Sequence, residues 1–516
     1  MKKFNPSEFQ ILADKAYTEN PYNDVGVMAS AGTGKTTTIL WILKKSKNRN
    51  ALFLAYNKSI ADELLTKVPV GVEAKTIHSL GLRTLRKTFK NGVKIQNWMV
   101  YMECMSRMNR WNVKSKDRKK TAVVVSKYVD LWRLGMCNNK YEFVDFVSKQ
   151  NISPDEKDIV RAMEILNWLE KYYRDAKENG SSIVVDFCSM IYVPVQLNLR
   201  FQKYKEVILD EAQDASKLMW EIVKRSVSVR GRTVFVGDSS QSIYGFTGAS
   251  PEVFENKYLN ENTIRCKLPV TYRCAKEIAR HATKYCSNEI IPYENNPEGF
   301  VGEGDFLDAD YNDFVLCRNN KPLFSAYYAL LGEGKKSYIK DNDLGAMLLS
   351  ELEDFRYDTS PVNAYNYYES KLNRIESGLI QRGIEKPRGH SKYSDYSEKV
   401  EIIRFMVDRF LTPKQAYLEL KEMFENTDHR GICLMTYHKS KGLEANSVYL
   451  ICPWLCPSKW ATTPDMIQQE INLTFVAITR GELNVYYDLN FQSDSDKNNR
   501  RFKILREIRD LKKSSQ

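Results

Sequence analysis

The chain has 516 residues, more than one hydrophobic core usually organises, so several domains are expected. Hydrophobic residues make up 43% and aromatics 12%, enough to fill such cores, and the formal net charge of +12 favours a polyanionic partner. No stretch approaches the roughly 20 apolar residues of a membrane span, and the opening MKKFNPSEFQILADK has no apolar run of signal-peptide length. No membrane partner is expected. The expected location is cytoplasmic: at the nucleoid, or in a host cytoplasm if the chain is virus- or plasmid-encoded. The ten cysteines form no CxxC pair; Cys452 and Cys456 come closest, with no further ligand clustered beside them. They read as reduced structural thiols rather than a metal site.

In chain order, apolar runs ending in small or acidic residues occur at 25–29 (VGVMA), 51–55 (ALFLA), 206–210 (EVILD), 233–237 (TVFVG), 314–317 (FVLC) and 447–451 (SVYLI). Short apolar runs followed by polar, helix-like stretches predict buried parallel strands in α/β units. They fall into two regions, so two α/β lobes with parallel sheets are expected. A first lobe is assigned to 1–85 and 186–262, and a second to 263–349 and 429–490. The stretches between the strand-bearing parts, 86–185 and 350–428, predict mainly helical insertions. The basic run KSKDRKK at 114–120 makes the first insertion a possible nucleic-acid contact. Residues 491–516 form a C-terminal tail.

The stretch ASAGTGKTT at 29–37 follows the first strand and precedes a helix-like TTTILWILKK. Small residues there let backbone N–H groups approach a phosphate, and the helix N-terminus adds a positive dipole. Ala31, Gly32, Thr33, Gly34 and Thr37 belong to that cradle, Lys35 reaches the outer phosphates, and Thr36 ligates Mg²⁺. The run VILDEAQD at 207–214 ends a strand in two carboxylates. Asp210 is expected to hold Mg²⁺ through water and Glu211 to orient and deprotonate the attacking water, the division of labour phosphoryl transfer requires. In VFVGDSSQSIYGF at 234–246, Gln241 is placed to sense a γ-phosphate. Tyr244 and Phe246, just beyond it, are aromatics able to stack on bases.

These motifs, in this order, resemble those of the UvrD/Rep/PcrA class of superfamily 1 DNA helicases over residues 4–487. The resemblance implies an α/β fold of two RecA-like P-loop motor lobes, each carrying a mainly helical insertion. It implies ATP and Mg²⁺ as cofactors, and single-stranded DNA and tailed or forked duplex DNA as partners. In FNPSEFQ, Gln10 is implied to read adenine. AYNKSIADEL (55–64) and KTIHSLG (75–81) are similar to DNA-side motifs, with wording closest to the F-box helicase branch, and imply DNA contacts from Tyr56, Asn57, Lys58, Thr76 and His78. In PVTYRC (269–274), Tyr272 is implied to stack on adenine and Arg273 to reach the γ-phosphate. In TYHKSKGLEANSVYL (436–450), Glu444 is implied to contact ribose, while Thr436, His438 and Lys439 lie near DNA. In LTFVAITRGE (473–482), Arg480 is implied to be a second arginine finger.

Three departures from the family pattern bear on function. Ala55 stands where many members have Phe, Gly245 and Phe246 stand where Arg and Trp are common, and the 350–428 insertion is short for a regulatory domain. The AYNKS segment without proline, the Gln241–Tyr244 run and the TRGE ending resemble the 3′→5′ group. Two other readings share parts of the pattern: a DNA-stimulated ATPase that strips proteins from DNA with little unwinding, and a non-catalytic scaffold clamped by ATP. The second is disfavoured by the presence of Glu211, Arg273 and Arg480 together.

Overall fold

The computed structural model describes residues 5–491, apart from 47–49, 56–57, 150–151, 153, 244, 246–247, 382–383 and 427, and apart from the side chains of Ser59 and Ser391. The chain divides into two compact units, Met1–Val270 and Thr271–Gln516. Among the described residues no helix is long and apolar enough to cross a membrane.

The first unit is built on six strands: β1 (Val25–Ala29), β2 (Ala51–Ala55), β3 (Val72–Thr76), β4 (Tyr204–Leu209), β5 (Val227–Gly237) and β6 (Ile264–Leu268). They lie in the order β3-β2-β4-β5-β1-β6, with every pairing parallel. A parallel sheet is covered on both faces, so its strands read as continuous apolar runs. Strand alternation divides those runs between two helical layers. Ala51, Phe53, Ile208, Val234 and Val236 pack on one side with Val25 and Ile39. Leu52, Leu54, Val207, Leu209 and Phe235 pack on the other with Leu80, Trp220 and Phe254.

The first unit extends beyond the boundary expected at 262, because β6 pairs along β1 from Val25↔Ile264 to Ala29↔Leu268. This strand hides in the sequence: Arg265 and Lys267 interrupt its apolar pattern, and both are exposed on the edge of the sheet. Charged residues are common on such edges, where they discourage further pairing.

The first insertion has its own core. Helices Met99–Ser106, Arg118–Gly135, Lys140–Ser148 and Glu156–Glu178 bury Cys104, Val125, Val129, Phe143, Ile165, Leu169 and Tyr173 together. Two short strands, Val93–Ile95 and Ile183–Val185, pair in parallel where the insertion leaves and rejoins the lobe.

The second unit repeats the plan with β7 (Phe300–Glu303), β8 (Phe314–Cys317), β9 (Ser337–Ile339), β10 (Ile432–Thr436), β11 (Ala445–Ile451) and β12 (Gly481–Asp488). Their order is β7-β12-β11-β8-β10-β9, again parallel throughout. Here the helices of the insertion, Pro361–Ile380, Ser391–Phe410 and Pro413–Glu425, are not a separate body. Their Tyr368, Val400, Ile403, Met406 and Leu420 share one apolar cluster with Val315, Leu434 and Ile451 of the sheet.

Candidate functional site

At the carboxyl end of β1 the chain turns through residues 30–34 into the helix Lys35–Lys45. Gly32 and Gly34 take left-handed backbone angles, φ 70° and 72°, which a side chain disfavours. The loop is pinned by Thr33 Oγ1 donating to the Ser30 carbonyl (3.0 Å) and by the Ser30 N–H donating to the Leu268 carbonyl (3.2 Å). Ala31 is buried, whereas Thr37 is exposed on the first turn. Gln10 is buried and already engaged: its Oε1 accepts from the Ser7 N–H (2.9 Å) and its Nε2 donates to Thr38 Oγ1 (2.8 Å). It therefore ties the first helix of the chain to the phosphate-loop helix.

Because β5 lies between β1 and β4, the carboxyl ends of all three strands are neighbours. Open parallel sheets bind ligands beyond that edge. Thr36 Oγ1 donates to Asp210 Oδ2 at 2.7 Å, and Lys35 Nζ lies 3.7 Å from Glu211 Oε1. Asp210 is buried, and its carboxyl is pushed up to about 6, first by burial and then by the Glu211 charge beside it. A cation would relieve that cost. The pair Thr36 and Asp210 is a hard-oxygen set suited to Mg²⁺, which retains several waters when protein-bound. Glu211 itself sits in the left-handed region at φ 49°. Gln241 Nε2 donates to Asp238 Oδ2 at 2.6 Å just after β5.

One residue passed over in the sequence joins these parts. Gln213 is fully buried; its Nε2 donates to Glu211 Oε2 (2.7 Å), and its Oε1 accepts from the Asp238 N–H (3.0 Å). The signal was present as an amide set among the acids of DEAQD.

Of the residues implied to meet nucleic acid, Tyr56, Asn57, Tyr244 and Phe246 lie outside the described residues. Lys58 is exposed at the start of the helix Lys58–Leu65, and Thr76 caps the next helix by accepting from the Ser79 N–H (3.2 Å). His78 stacks on Phe187, with ring centroids 3.8 Å apart and planes 23° apart. Burial pulls its imidazole down to about 4, so it is neutral near pH 7. It also lines a cavity of about 10 Å³ with Ala55, Leu209, Asp210 and Glu211. Phe187, a second residue missed in the sequence, is 55% exposed. Its neighbours Asp186 and Ser189 are held by Arg133 of the insertion, at 2.9 Å and 2.7 Å.

In the second unit, Arg273 Nε is 2.7 Å from Glu444 Oε2, so the two residues implied to contact nucleotide are paired with each other. Tyr272 is partly exposed beside Tyr293, at 5.1 Å between centroids. Arg480 is buried; it donates to the carbonyls of Val476 (2.9 Å) and Leu443 (3.1 Å) and to Thr479 Oγ1 (3.2 Å). Thr436 ends β10, and its Oγ1 accepts from the Lys439 N–H at 3.4 Å. Lys439 Nζ is shared by Asp341 and Asp343, each at 3.2 Å. His438 is half-buried and pulled down to about 4, chiefly by burial and next by Arg318. Arg318 grips Glu470 through several bonds, the shortest 2.7 Å.

Comparison with known proteins places most of the chain in one family. Residues 13–261 match the model of the UvrD/REP helicase N-terminal domain, and residues 347–487 match that of the UvrD-like helicase C-terminal domain. The chain is 22% identical to F-box DNA helicase protein 1 of Schizosaccharomyces pombe, over 90% of this chain and 55% of that protein. It is 24% identical to F-box DNA helicase 1 of Gallus gallus, over 89% and 46% respectively. It is 22% identical to the ATP-dependent DNA helicase Rep of Buchnera aphidicola subsp. Acyrthosiphon pisum, over 89% and 92%. The chain thus spans about half the length of the two F-box relatives.

Proposed function

Because the chain belongs to the UvrD/REP helicase family, we propose that it is an ATP-dependent DNA helicase or translocase that moves on single-stranded DNA, in the 3′→5′ direction. The observation that carries this reading is the meeting of Lys35, Thr36, Asp210, Glu211 and Gln241 at one edge of the first sheet. Lys35 compensates the charge of the outer phosphates, and Glu211 takes the proton of the attacking water. Mg²⁺, when bound by Thr36 and Asp210, partly through water, spreads the charge of the phosphates. Gln10 and Tyr272 are assigned to adenine, Glu444 to ribose, and Arg273 and Arg480 to the γ-phosphate. Arginines in that role are worth about 10³–10⁵ in rate in other NTPases.

Single-stranded DNA is gripped by stacking and by phosphate contacts, so binding weakens with salt. Lys58, Thr76, His78, Thr436, His438 and Lys439 are assigned to it, with Tyr56, Asn57, Tyr244 and Phe246. The exposed ring of Phe187 on His78 supports adding Phe187 to that set.

The test is ATP turnover with and without oligothymidine, followed by unwinding of two duplexes that differ only in which strand end carries the tail. DNA-stimulated turnover and faster unwinding of the 3′-tailed duplex are expected. Turnover with protein displacement but no unwinding would favour the stripping ATPase. Faster unwinding of the 5′-tailed duplex would reverse the direction, and absence of turnover would overturn the enzyme reading.

A further inference from the structure

The first insertion carries one fully buried guanidinium, that of Arg133 on the helix Arg118–Gly135. It forks onto Asp186: Nη1 donates to Oδ1 (3.2 Å) and Nη2 to Oδ2 (2.9 Å). Nη1 also donates to Ser189 Oγ (2.7 Å), and Nη2 to Asp130 one turn back on its own helix. Asp186 in turn closes the entry to the helix Ser189–Gln196. Its Oδ1 accepts from the Ser189 N–H (2.6 Å) and its carbonyl from the Met190 N–H (3.1 Å).

Only Phe187 and Cys188 stand between the two residues that Arg133 holds. Cys188 is buried, whereas Phe187 is mostly in solvent, so packing alone does little to orient its ring. What orients it is the backbone on either side and the stack on His78. His78 lies on the helix Ile77–Thr88, which approaches Ser189–Gln196 so closely that a Cβ on Gly81 would overlap the Met190 carbonyl. Its imidazole is neutral near pH 7, so the pair offers a stacking face rather than a charge. A buried ion pair adds little net stability over apolar packing of the same volume, but a bidentate fork sets geometry. The geometry set here is that of residues 186–189.

We propose that Arg133 is a positioning residue that holds residues 186–189 so that Phe187, stacked on His78, is presented to a base of single-stranded DNA. The inference rests on the proposed binding of single-stranded DNA. It gives the first insertion a part in that binding through a buried charge, independent of the lysines on its surface.

The experiment is a double-mutant cycle on the full chain, read as the affinity for fluorescein-labelled oligothymidine. Phe187→Ala should weaken binding about five- to a hundredfold, the range for losing one base–aromatic stack. Arg133→Lys keeps the charge but replaces the fork with a point donor, and should weaken binding about three- to tenfold, within the range for coupled neighbours. In the Phe187→Ala background the same Arg133→Lys change should cost less than about twofold, because the ring it positions is gone.

Equal losses in the two backgrounds would overturn the inference, since they mark a general structural role for Arg133 or a phosphate contact of its own. Unchanged affinity in Arg133→Lys would overturn it as well. If Arg133→Lys does not fold, Asp186→Asn, which keeps an oxygen for the Ser189 N–H and removes one arm of the fork, takes its place in the cycle with the same two outcomes. A wild-type chain that does not bind oligothymidine overturns the DNA reading and this inference with it. Wild-type binding with Phe187→Ala unaffected removes Phe187 from the DNA contacts and overturns the inference. Wild-type binding weakened by Phe187→Ala, with equal losses from Arg133→Lys in both backgrounds, overturns this inference alone.

Discussion

In the first unit the side chains proposed to act on nucleotide hold one another: Lys35 faces Glu211, Thr36 is bonded to Asp210, and Gln213 bridges Glu211 to the Asp238 turn. In the second unit the corresponding cations are held by something else. Arg480 is bonded to backbone carbonyls inside the fold, Arg273 to Glu444, and Lys439 to Asp341 and Asp343. The difference concerns reorganisation. A set whose members already face one another can act on phosphate with little movement, and preorganised electrostatics of this kind is the larger part of many rate enhancements. A set held by exchangeable acids must first trade partners, and exposed ion pairs are cheap to exchange. The two arginines also differ from each other, since Glu444 is half exposed while the partners of Arg480 are interior carbonyls.

The strongest effects are expected among the groups proposed to act in hydrolysis, beginning with the preassembled set. Glu211→Gln should lower DNA-stimulated turnover by about a hundred- to ten-thousandfold, the usual contribution of a general base, with ATP still bound. Wild-type turnover in that variant would remove the central member of the set. Next come the two arginines. Arg273→Ala and Arg480→Ala should each lower kcat by about a thousandfold or more if both serve the γ-phosphate. Only Arg480→Ala should also lower the melting temperature, because the carbonyls of Val476 and Leu443 lose a buried donor, each at about 1–3 kcal/mol. Loss of stability without loss of kcat would show that Arg480 serves the scaffold alone.

The smallest effect is expected at Lys439. Asp343→Asn removes one exposed acid from it, and affinity for a single-stranded oligonucleotide should rise about two- to fivefold, the scale of an exposed ion pair. Unchanged affinity in a titration at low salt would place Lys439 outside the DNA contact and break that half of the comparison.

The parallel strands were legible wherever burial on both faces made them continuous apolar runs, as at 25–29, 51–55 and 314–317, whose predicted limits coincide with β1, β2 and β8. The edge strand β6 was not, because Arg265 and Lys267 serve the solvent side of an edge and erase the run. At the candidate site, the identities of Lys35, Thr36, Asp210 and Glu211 were readable because strand, loop and helix fix their places locally. What Gln213, Phe187 and Arg318 touch depends on segments far apart in the chain. Arg133 lies 53 residues from Asp186, and Arg318 lies 152 from Glu470. Sequence periodicity says nothing about such distances. It was equally silent on Arg480, whose motif was plain but whose burial is a property of the packed helix Pro464–Ile478.

The first insertion has a consequence for the order in which the molecule can be made. β1 is synthesised early, but its sheet neighbours β5 and β6 begin at Val227 and Ile264, about two hundred residues later. A parallel strand cannot be completed until its partner arrives, and distant pairings form slowly. The helices between Met99 and Glu178 need no such wait, since their core draws almost wholly on residues between Leu85 and Leu199. During synthesis the insertion can therefore be compact while the phosphate loop still hangs from an unpaired strand. The loop at 30–34 is anchored only when β5 and β6 flank β1, since its Ser30 N–H donates to the Leu268 carbonyl of β6, late in the translation of this half. The insertion then acts as a folded spacer that keeps the two ends of an unfinished sheet near each other, lowering the loop-closure entropy of joining β4 to β2.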